Sequence, residues 1–416
     1  MENPKTIIFL SEMPLTNGVI QAQLVLIMKA SASSGFSVRL IETVGRFDSQ
    51  EKDRGKAEEE LQKCGIIIQK ISIKRHTFFP SIFYFSIKSY SIIRKIIKEN
   101  KDCPAVIYAR NYKFAPLLLL AASLWKIPFI YSPRGAYVAE RAYYKKIKDR
   151  LYGSLIGFFE RKAIEKSAAT IFETEAFQRH IEKIYKIADF NLKVIPNYYN
   201  QTLAEDASAS REEMREKLGY SGKKVVVYAG TIEVWYDFEK MFDLVSKMKK
   251  KDPSIFFQLF TKEDYARDES RGIAETLRDL VAKYGLKENT DYSISSYPPQ
   301  ERYKYLSACD AGICLATPQE FKTIMLYLKI VDYLGAGLPI IVNSEVKSAA
   351  EIIKSSGVGA IVDYENWNDS ISKIDIVSLF TKTGKNNAEY KKYSSSNIIP
   401  EYLDLFESVF KKTGGK

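Results

Sequence analysis

The sequence contains few cysteines and few histidines, and this limits the chemistry that it can carry. No Cys-x-x-Cys pair or Cys/His cluster occurs, so a structural zinc site is not expected. Scattered cysteines also favour a reducing, cytosolic location. Neither histidine lies at a strand end that we expect to face a ligand-binding cleft, so a histidine general base is not expected. The cysteines are Cys64, Cys103, Cys309 and Cys314, and the histidines are His76 and His180.

Long hydrophobic runs are also missing. Residues 6–10 (TIIFL) are too short for the apolar region of a signal peptide, and no cleavage site follows them. The longest apolar run, residues 116–125, is about half of the ~20 residues that a membrane-spanning helix needs. The sequence therefore predicts a protein that is soluble or bound peripherally to a membrane.

The chain has 416 residues, a length that favours two domains. It is basic, with 62 Lys and Arg against 51 Asp and Glu and a formal net charge of +11. Such a charge suits nucleic acid, an anionic membrane surface or an anionic substrate. No nucleic-acid-binding motif accompanies it, so nucleic acid is the least favoured of the three partners.

Short apolar segments alternate with helical patterns along the whole chain, which predicts an α/β fold with parallel sheets. Lys56–Lys63 is a clear helical segment between two of them. The predicted strands of the first half are residues 6–10, 37–41, 66–73, 105–109, 128–132, 170–172 and 193–195. Those of the second half are residues 224–229, 255–260, 291–294, 311–315, 339–343 and 360–362.

The alternation of strands and helices is interrupted between the two halves of the chain. We therefore predict two doubly wound domains with a cleft between the carboxyl ends of their sheets. The first domain spans residues 1–199 and the second spans residues 223–399. Residues 200–222, polar and then charged, are predicted to link them. An amphipathic helix over 400–412 follows, and the C-terminal segment 400–416 is expected to pack back on the first domain.

The segment from Thr317 to Val342 carries the strongest functional signal. A predicted helix places Lys329 and Asp332 three residues apart, and it ends near Gly335, Gly337 and Pro339. A cation can hold a diphosphate, and a carboxylate can accept hydrogen bonds from ribose hydroxyls. The pair therefore indicates a nucleotide-sugar site. The alternative is a surface ion pair worth a few tenths of a kcal/mol.

Loops that follow strands supply further candidates for the donor site. Gly230 and Thr231 follow a strand of the second half, where a glycine lets backbone N–H groups approach a phosphate. Lys262 follows the next strand and could face a phosphate. Asn17 and Gly18 follow the first strand of the chain. Plain turns and a solvated lysine are the alternatives.

Several segments together resemble the retaining glycosyltransferases of family four, which have the GT-B fold. The segment Leu328–Pro339 is similar to their donor-site signature Lys-x-x-Glu-Tyr-x-x-x-Gly-x-Pro. Strand 225–230 with Trp235-Tyr236-Asp237 is similar to the opening of their donor domain. Pro196-Asn197, Arg134-Gly135 with Glu140, and the segment 160–175 match further landmarks in order. The resemblance covers nearly the whole chain.

This resemblance implies transfer of a sugar from a UDP- or GDP-sugar with retained configuration, in bacterial cell-surface glycan synthesis. The nucleotide-sugar is a co-substrate, and neither a metal nor another cofactor is implied. Lys329, Asp332 and Arg134 would be catalytic, and Tyr333 would join the donor site. The sequence departs from the family at Ile324, where the first of two glutamates is usual, and Asp332 replaces the second. Glu320 has the wrong spacing to substitute, and Ser132 stands where many relatives have Asp.

Two other functions therefore stay open. A degenerate, non-catalytic protein of the same fold is suggested by Ile324. A UDP-sugar 2-epimerase is the other, although such enzymes use a histidine in the cleft and histidine is scarce here.

Arg110 and Arg134 follow adjacent predicted strands, so we expect them to hold an anionic acceptor such as a lipid diphosphate. An internal ion pair of Arg134 with Glu140 is the alternative. Residues 78–98 and 141–166 combine aromatic and basic side chains and could lie on an anionic bilayer. The expected acceptor is lipid-linked or a saccharide, and the expected location is the cytoplasmic face of the membrane.

Overall fold

The computed structural model describes residues 5–45, 51–73, 81–99, 103–139, 147–187, 190–261 and 274–413. It divides into two compact units. The first unit comprises Met1–Pro196 and Ile398–Lys416, and the second comprises Asn197–Asn397. Each unit contains a parallel sheet with helices in its crossovers. The two-domain α/β prediction is confirmed.

The sheet of the first unit has seven strands among the described residues, in the order β3-β2-β1-β4-β5-β6-β7, and all are parallel. The chain runs outward from β1 through β2 to β3 and then returns to place β4 on the other side of β1. Strands β1 and β6 are buried along their whole length, as expected for a sheet covered on both faces. The strands are β1 (Thr6–Ser11), β2 (Ser37–Gly45), β3 (Ile67–Ile73), β4 (Ala105–Ala109), β5 (Phe129–Tyr131), β6 (Ala169–Phe172) and β7 (Leu192–Val194).

Polar side chains cap the N-termini of two helices in this unit. Asn17 accepts a hydrogen bond from the Val19 N–H, and Thr174 accepts one from the Phe177 N–H. The helices are α1 (Gly18–Gln23), α2 (Val25–Ser33), α3 (Glu51–Lys63), α4 (Ser81–Glu99), α5 (Ala115–Trp125), α6 (Ile147–Lys166) and α7 (Glu175–Tyr185).

The second unit has six parallel strands among the described residues, in the order β10-β9-β8-β11-β12-β13. Its order also reverses at the first strand, because β9 and β11 lie on opposite sides of β8. The strands are β8 (Lys224–Ala229), β9 (Ile255–Phe260), β10 (Tyr292–Ser295), β11 (Ala311–Cys314), β12 (Ile340–Asn343) and β13 (Gly359–Val362).

Residues 200–222 fold as part of the second unit, so the structure corrects their interpretation as a linker. They form two helices. Arg211 and Arg215, from the second of these, bind Asp310 at 2.5 and 3.0 Å and anchor the segment in front of β11. The helices of this unit are α8 (Gln201–Ser208), α9 (Arg211–Lys217), α10 (Phe238–Lys251), α11 (Ala274–Lys283), α12 (Arg302–Ser307), α13 (Glu320–Thr323), α14 (Leu328–Gly335), α15 (Lys347–Ser356), α16 (Trp367–Ser372), α17 (Ile376–Thr381) and α18 (Ala388–Lys391).

The last helix, α19 (Ser395–Thr413), is longer than the predicted 400–412, and its residues from Ile398 onward belong to the first unit. Phe406 packs edge-on against Phe9 and Tyr108 with ring centroids 5.9 and 6.0 Å apart. Lys5 and Glu407 add an ion pair at 2.7 Å. The C-terminal segment thus packs on the first sheet.

No helix within the described ranges is long and apolar enough to cross a membrane.

Candidate functional site

Helix α14 is held against the second sheet by close contacts at glycines. A Cβ at Gly312 in β11 would lie 2.4 Å from the Tyr333 ring, so only glycine lets this ring settle on the strand. A Cβ at Gly335 would lie 2.8 Å from the Tyr199 ring. Gly337 has a φ of +70°, which ends the helix before Pro339 and β12. The helix therefore has a fixed position and rotation.

Tyr333 fixes α14 to the point where the strand order reverses. Its hydroxyl accepts from the Ala229 N–H of β8 at 2.9 Å and donates to the Ile313 carbonyl of β11 at 3.3 Å. Ligands of open α/β sheets bind beyond the carboxyl ends of the strands at such a reversal. The side chain is fully buried. The buried phenol therefore positions the helix, whereas the sequence placed Tyr333 among the donor-site residues.

Lys329 lies beside this reversal, surrounded by aromatic rings. Its Nζ is 3.0 Å from the Tyr228 hydroxyl and 3.2 Å from the centroid of the Tyr236 ring, a cation–π contact. Only 7% of the residue is exposed. Burial lowers the pKa of Lys329 to about 7, although Cys314 and Glu233 act to raise it. Burial disfavours the charged form of this lysine, and buried groups with strongly shifted pKa values are often functional. Lys329 is therefore a candidate functional residue.

Gly230 ends β8 directly against this lysine. Its φ is +149°, and a Cβ there would lie 3.0 Å from Lys329 Cε and 3.3 Å from Nζ. Glycine therefore permits both the backbone conformation and the close approach. Thr231 is exposed, and its carbonyl accepts the Tyr228 hydroxyl at 2.6 Å. The structure thus brings Gly230, Thr231 and Lys329 together.

Asp332 has different partners from Lys329, so the two side chains form no ion pair. Its Oδ1 accepts from the Tyr303 hydroxyl at 3.0 Å and lies 3.6 Å from Arg302 Nη1. Burial raises the pKa of Asp332 above its ordinary value, while Arg302 and Tyr303 act to lower it. Arg302 and Tyr303 open α12, some thirty residues earlier, and no spacing in the sequence connects them to Asp332.

Ile324, at the position of the missing glutamate, is buried in the second unit. Glu320 begins α13 and is exposed. Lys262 and Glu140 lie outside the described residues, as does His76. Asn17 caps α1, and the space around a Cβ at Gly18 is open.

A second polar cluster lies at the carboxyl ends of the strands of the first unit. Arg134 follows β5, and its Nη2 is 3.4 Å from the hydroxyls of both Tyr108 and Tyr402. Its Nη1 is 3.6 Å from Glu173, which follows β6. The carboxylate found beside Arg134 is therefore Glu173. Tyr402 comes from α19, almost 270 residues away, and no local pattern could have indicated it.

Arg110 follows β4 and is buried next to this cluster. Burial alone raises the pKa of Tyr108, but the charges of Arg134 and Arg110 bring it below its ordinary value. The pKa of Tyr402 lies above its ordinary value, because burial and the neighbouring Tyr108 raise it. The charges of Arg134 and Arg110 act in the opposite direction. Both predicted arginines thus act on the same phenols, in a cationic cluster suited to an anion.

Within the described part of the chain, no group of three or more His, Cys, Asp or Glu side chains lies close enough to hold a metal ion.

Comparison with known proteins assigns both units. The family model described as Glycosyltransferase Family 4 matches residues 21–201, and the model described as Glycosyl transferases group 1 matches residues 210–394. The chain belongs to the family-four, group 1 glycosyltransferases. Together the two models cover strands β2 to β13, and the second model includes Gly230 and α14.

Solved structures share this GT-B fold over almost the whole chain. Anabaena HepE in complex with UDP and glucose is 15% identical, with a TM-score of 0.67 over 97% of this chain and 100% of that chain. A sucrose-phosphate synthase from Thermosynechococcus elongatus is 13% identical, with a TM-score of 0.69 over 98% and 100%. A glycosyltransferase from Rickettsia africae is 14% identical, with a TM-score of 0.67 over 98% and 99%. At these identities the likeness establishes the fold alone.

A curated relative, spore coat protein SA of Bacillus subtilis, is 22% identical over 202 residues. The match covers 48% of this chain and spans about half (52%) of that protein.

Proposed function

We propose that the protein transfers a sugar from a UDP- or GDP-sugar to a lipid-linked or saccharide acceptor, with retention of configuration and without a metal ion. The observation that carries the proposal is Lys329, a buried cation beside Gly230 at the strand-order reversal of the second unit. HepE, whose solved complexes contain UDP and UDP-glucose, supports a UDP-sugar donor by analogy of fold.

Lys329 and Gly230 form the diphosphate site in this proposal. The Gly230 N–H bonds the Phe260 carbonyl at 2.9 Å, so the lysine supplies the main attraction. Its Nζ contacts aromatic rings and a phenol, and no carboxylate pairs with it among the described residues. An arriving diphosphate places further negative charge beside the lysine and raises its pKa. Asp332 uses Oδ1 for Arg302 and Tyr303, and Oδ2 is proposed to accept from a ribose hydroxyl.

The reaction needs charge stabilisation at the leaving group. As the glycosidic C–O bond to the diphosphate breaks, negative charge grows on the β-phosphate, where protonated Lys329 stabilises it. The acceptor hydroxyl attacks the anomeric carbon from the same face and gives its proton to a β-phosphate oxygen. This route retains the configuration and requires no covalent nucleophile from the protein.

Arg110 and Arg134 are proposed to bind an anionic group of the acceptor. Tyr108 and Tyr402 both accept from Nη2 of Arg134, and Glu173 balances part of its charge. A diphosphate that carries a lipid would supply the anion. We further propose that the protein works at the cytoplasmic face of a membrane, within bacterial surface-glycan synthesis.

The test is a panel of UDP- and GDP-sugars, measured first by thermal shift and then by release of the nucleoside diphosphate with a saccharide or lipid-linked acceptor. Stabilisation by one nucleotide-sugar and release that persists in EDTA are expected. If none of the nucleotide-sugars stabilises the protein, the proposal is contradicted.

Two other outcomes identify the alternatives. Donor binding without turnover on a broad acceptor panel would indicate a non-catalytic protein, which buried Ile324 suggests. Epimerisation of free UDP-GlcNAc without an acceptor would indicate a 2-epimerase.

A further inference from the structure

The outer face of α4 in the first unit carries several basic side chains. Ser89, Ile93 and Ile96 are buried against the unit. The opposite face exposes basic side chains at helical spacing, namely Lys88, Arg94, Lys95 and Lys98. Glu99 is the acidic residue on this face. It lies 3.8 Å from Lys95 and 4.0 Å from Arg39, so it balances only part of the charge.

Within the described ranges, Arg94 and Lys98 have no carboxylate within 4 Å. The contrast with α6 is informative, because sequence alone gives both helices a basic, aromatic character. On α6, Arg161 and Lys162 both bind Glu165, at 2.8 and 2.7 Å. Arg94 and Lys98 on α4 have no such carboxylate among the described residues.

Two cavities adjoin this face. The first, of about 470 Å³, is lined by Tyr90, Ser91, Arg94, Lys95, Lys98 and Glu99. The second, of about 230 Å³, is lined by Thr6 and Lys126 and by a larger number of apolar side chains, among them Ile96, Ile97, Trp125 and Ile127. The rings of Tyr90 and Trp125, one from each cavity, are 5.0 Å apart. A cationic groove and an apolar pocket thus lie side by side.

Exposed apolar side chains flank both cavities. Ile87 on α4 is 64% exposed, and Leu124 on the neighbouring helix α5 is 60% exposed. Basic side chains next to exposed aliphatic and aromatic ones suit the boundary between anionic headgroups and acyl chains. The apolar pocket adjoins the starts of β1, β4 and β5. It therefore lies at the opposite edge of the sheet from Arg110 and Arg134.

We propose that this α4 face, defined by Ile87, Tyr90, Arg94, Lys98 and Leu124, binds an anionic phospholipid at the bilayer surface. Arg94 and Lys98 bind the headgroup phosphate. Ile87 and Leu124 enter the interface, where Tyr90 and Trp125 lie at headgroup level. The proposal rests on the membrane contact suggested above, and it assigns that contact to a surface distinct from the candidate acceptor site.

The test is sedimentation of the full chain with vesicles of phosphatidylglycerol, with phosphatidylcholine vesicles in parallel. We expect binding to phosphatidylglycerol that weakens between 0.1 and 0.5 M salt, because screening shortens the reach of exposed charges. Each basic residue contributes about fivefold, so Arg94→Gln with Lys98→Gln should weaken binding at least tenfold. Ile87→Ser with Leu124→Ser should also weaken it.

Matched controls come from the second unit. The double variant Lys347→Gln with Lys354→Gln, at exposed positions of α15, changes the net charge by the same amount as the Arg94/Lys98 variant. Val377→Ser removes an apolar side chain that is as exposed as Ile87 and Leu124. Both should bind like the wild type. All variants should keep wild-type thermal stability and nucleotide binding.

Three results would overturn the proposal. Wild-type affinity of the Arg94/Lys98 variant would remove α4 from the contact, and an equal loss in the Lys347/Lys354 control would indicate non-specific charge attraction. If the wild type does not bind anionic vesicles, the proposed membrane contact itself is contradicted. Binding of nucleotide-sugars, measured separately, would still decide the transferase proposal.

Discussion

Replacing Lys329 with methionine tests the proposed donor site with little risk to the fold. Methionine has a similar length, suits a buried apolar environment and removes only the charge and the hydrogen bonds. A hydrogen bond to a charged group contributes about 1.5–3 kcal/mol. The variant should therefore bind the donor roughly 10- to 150-fold more weakly, and turnover should fall at least as far. Isothermal titration calorimetry and nucleotide release measure the two effects.

The same variant makes a prediction about stability. Burial lowers the pKa of Lys329 to about 7, whereas an unfolded lysine titrates near 10.4. Between these values the unfolded chain holds a proton that the folded chain has lost, so wild-type stability should rise with pH across this window. Lys329→Met lacks this dependence. It should be more stable than the wild type below pH 7, and the difference should fade towards pH 10.5.

Proton uptake gives an independent check on Lys329. At pH 8 the free side chain is mostly neutral. The bound diphosphate should raise its pKa, so that the amine takes up a proton from the buffer. Titrations in buffers of different ionisation enthalpy should then report uptake approaching one proton per donor, and Lys329→Met should abolish it. Equal donor affinity in the two proteins, with equal proton uptake, would refute the proposed contact between Lys329 and the diphosphate.

Four further substitutions test the two candidate sites. Gly230→Ala places a Cβ 3.0 Å from Lys329 Cε at a φ of +149°; donor affinity should fall at least tenfold by calorimetry, and an unchanged affinity would argue against the close approach. Arg134→Gln should raise the KM for an anionic acceptor at least tenfold while donor binding stays intact, with Tyr402→Phe giving a smaller rise; equal KM values in all three proteins would exclude this cluster from acceptor binding. Ile324→Glu buries a carboxylate and should destabilise the protein by about 2 kcal/mol or more in denaturant titrations, whereas unchanged stability would mean that the site is open to solvent.

Much of the fold could be predicted because buried parallel strands are short apolar runs separated by helices. Predicted and observed strands agree within a few residues, and 105–109, 224–229 and 255–260 agree fully. The segment 200–222 was misinterpreted as a linker, because polar residues such as Arg211 and Arg215 gave no sign of their ion pairs with Asp310. Those contacts join segments that are about a hundred residues apart.

The candidate site was predictable where it depends on local sequence. The order of glycines, proline and helix located Lys329 and Gly230. Burial could not be read from the sequence, so the lowered pKa of Lys329 and the fully buried position of Tyr333 emerged only from the packing. The partners of Asp332 and Arg134 come from α12 and α19, and long-range packing alone brings them together.

The most direct measurement is an experimental structure of the full chain with the nucleoside diphosphate, UDP or GDP, that gives the larger thermal shift. The proposal predicts a phosphate oxygen about 3 Å from Lys329 Nζ, next to Gly230. A diphosphate bound elsewhere, with Lys329 still enclosed by Tyr228 and Tyr236, would contradict it.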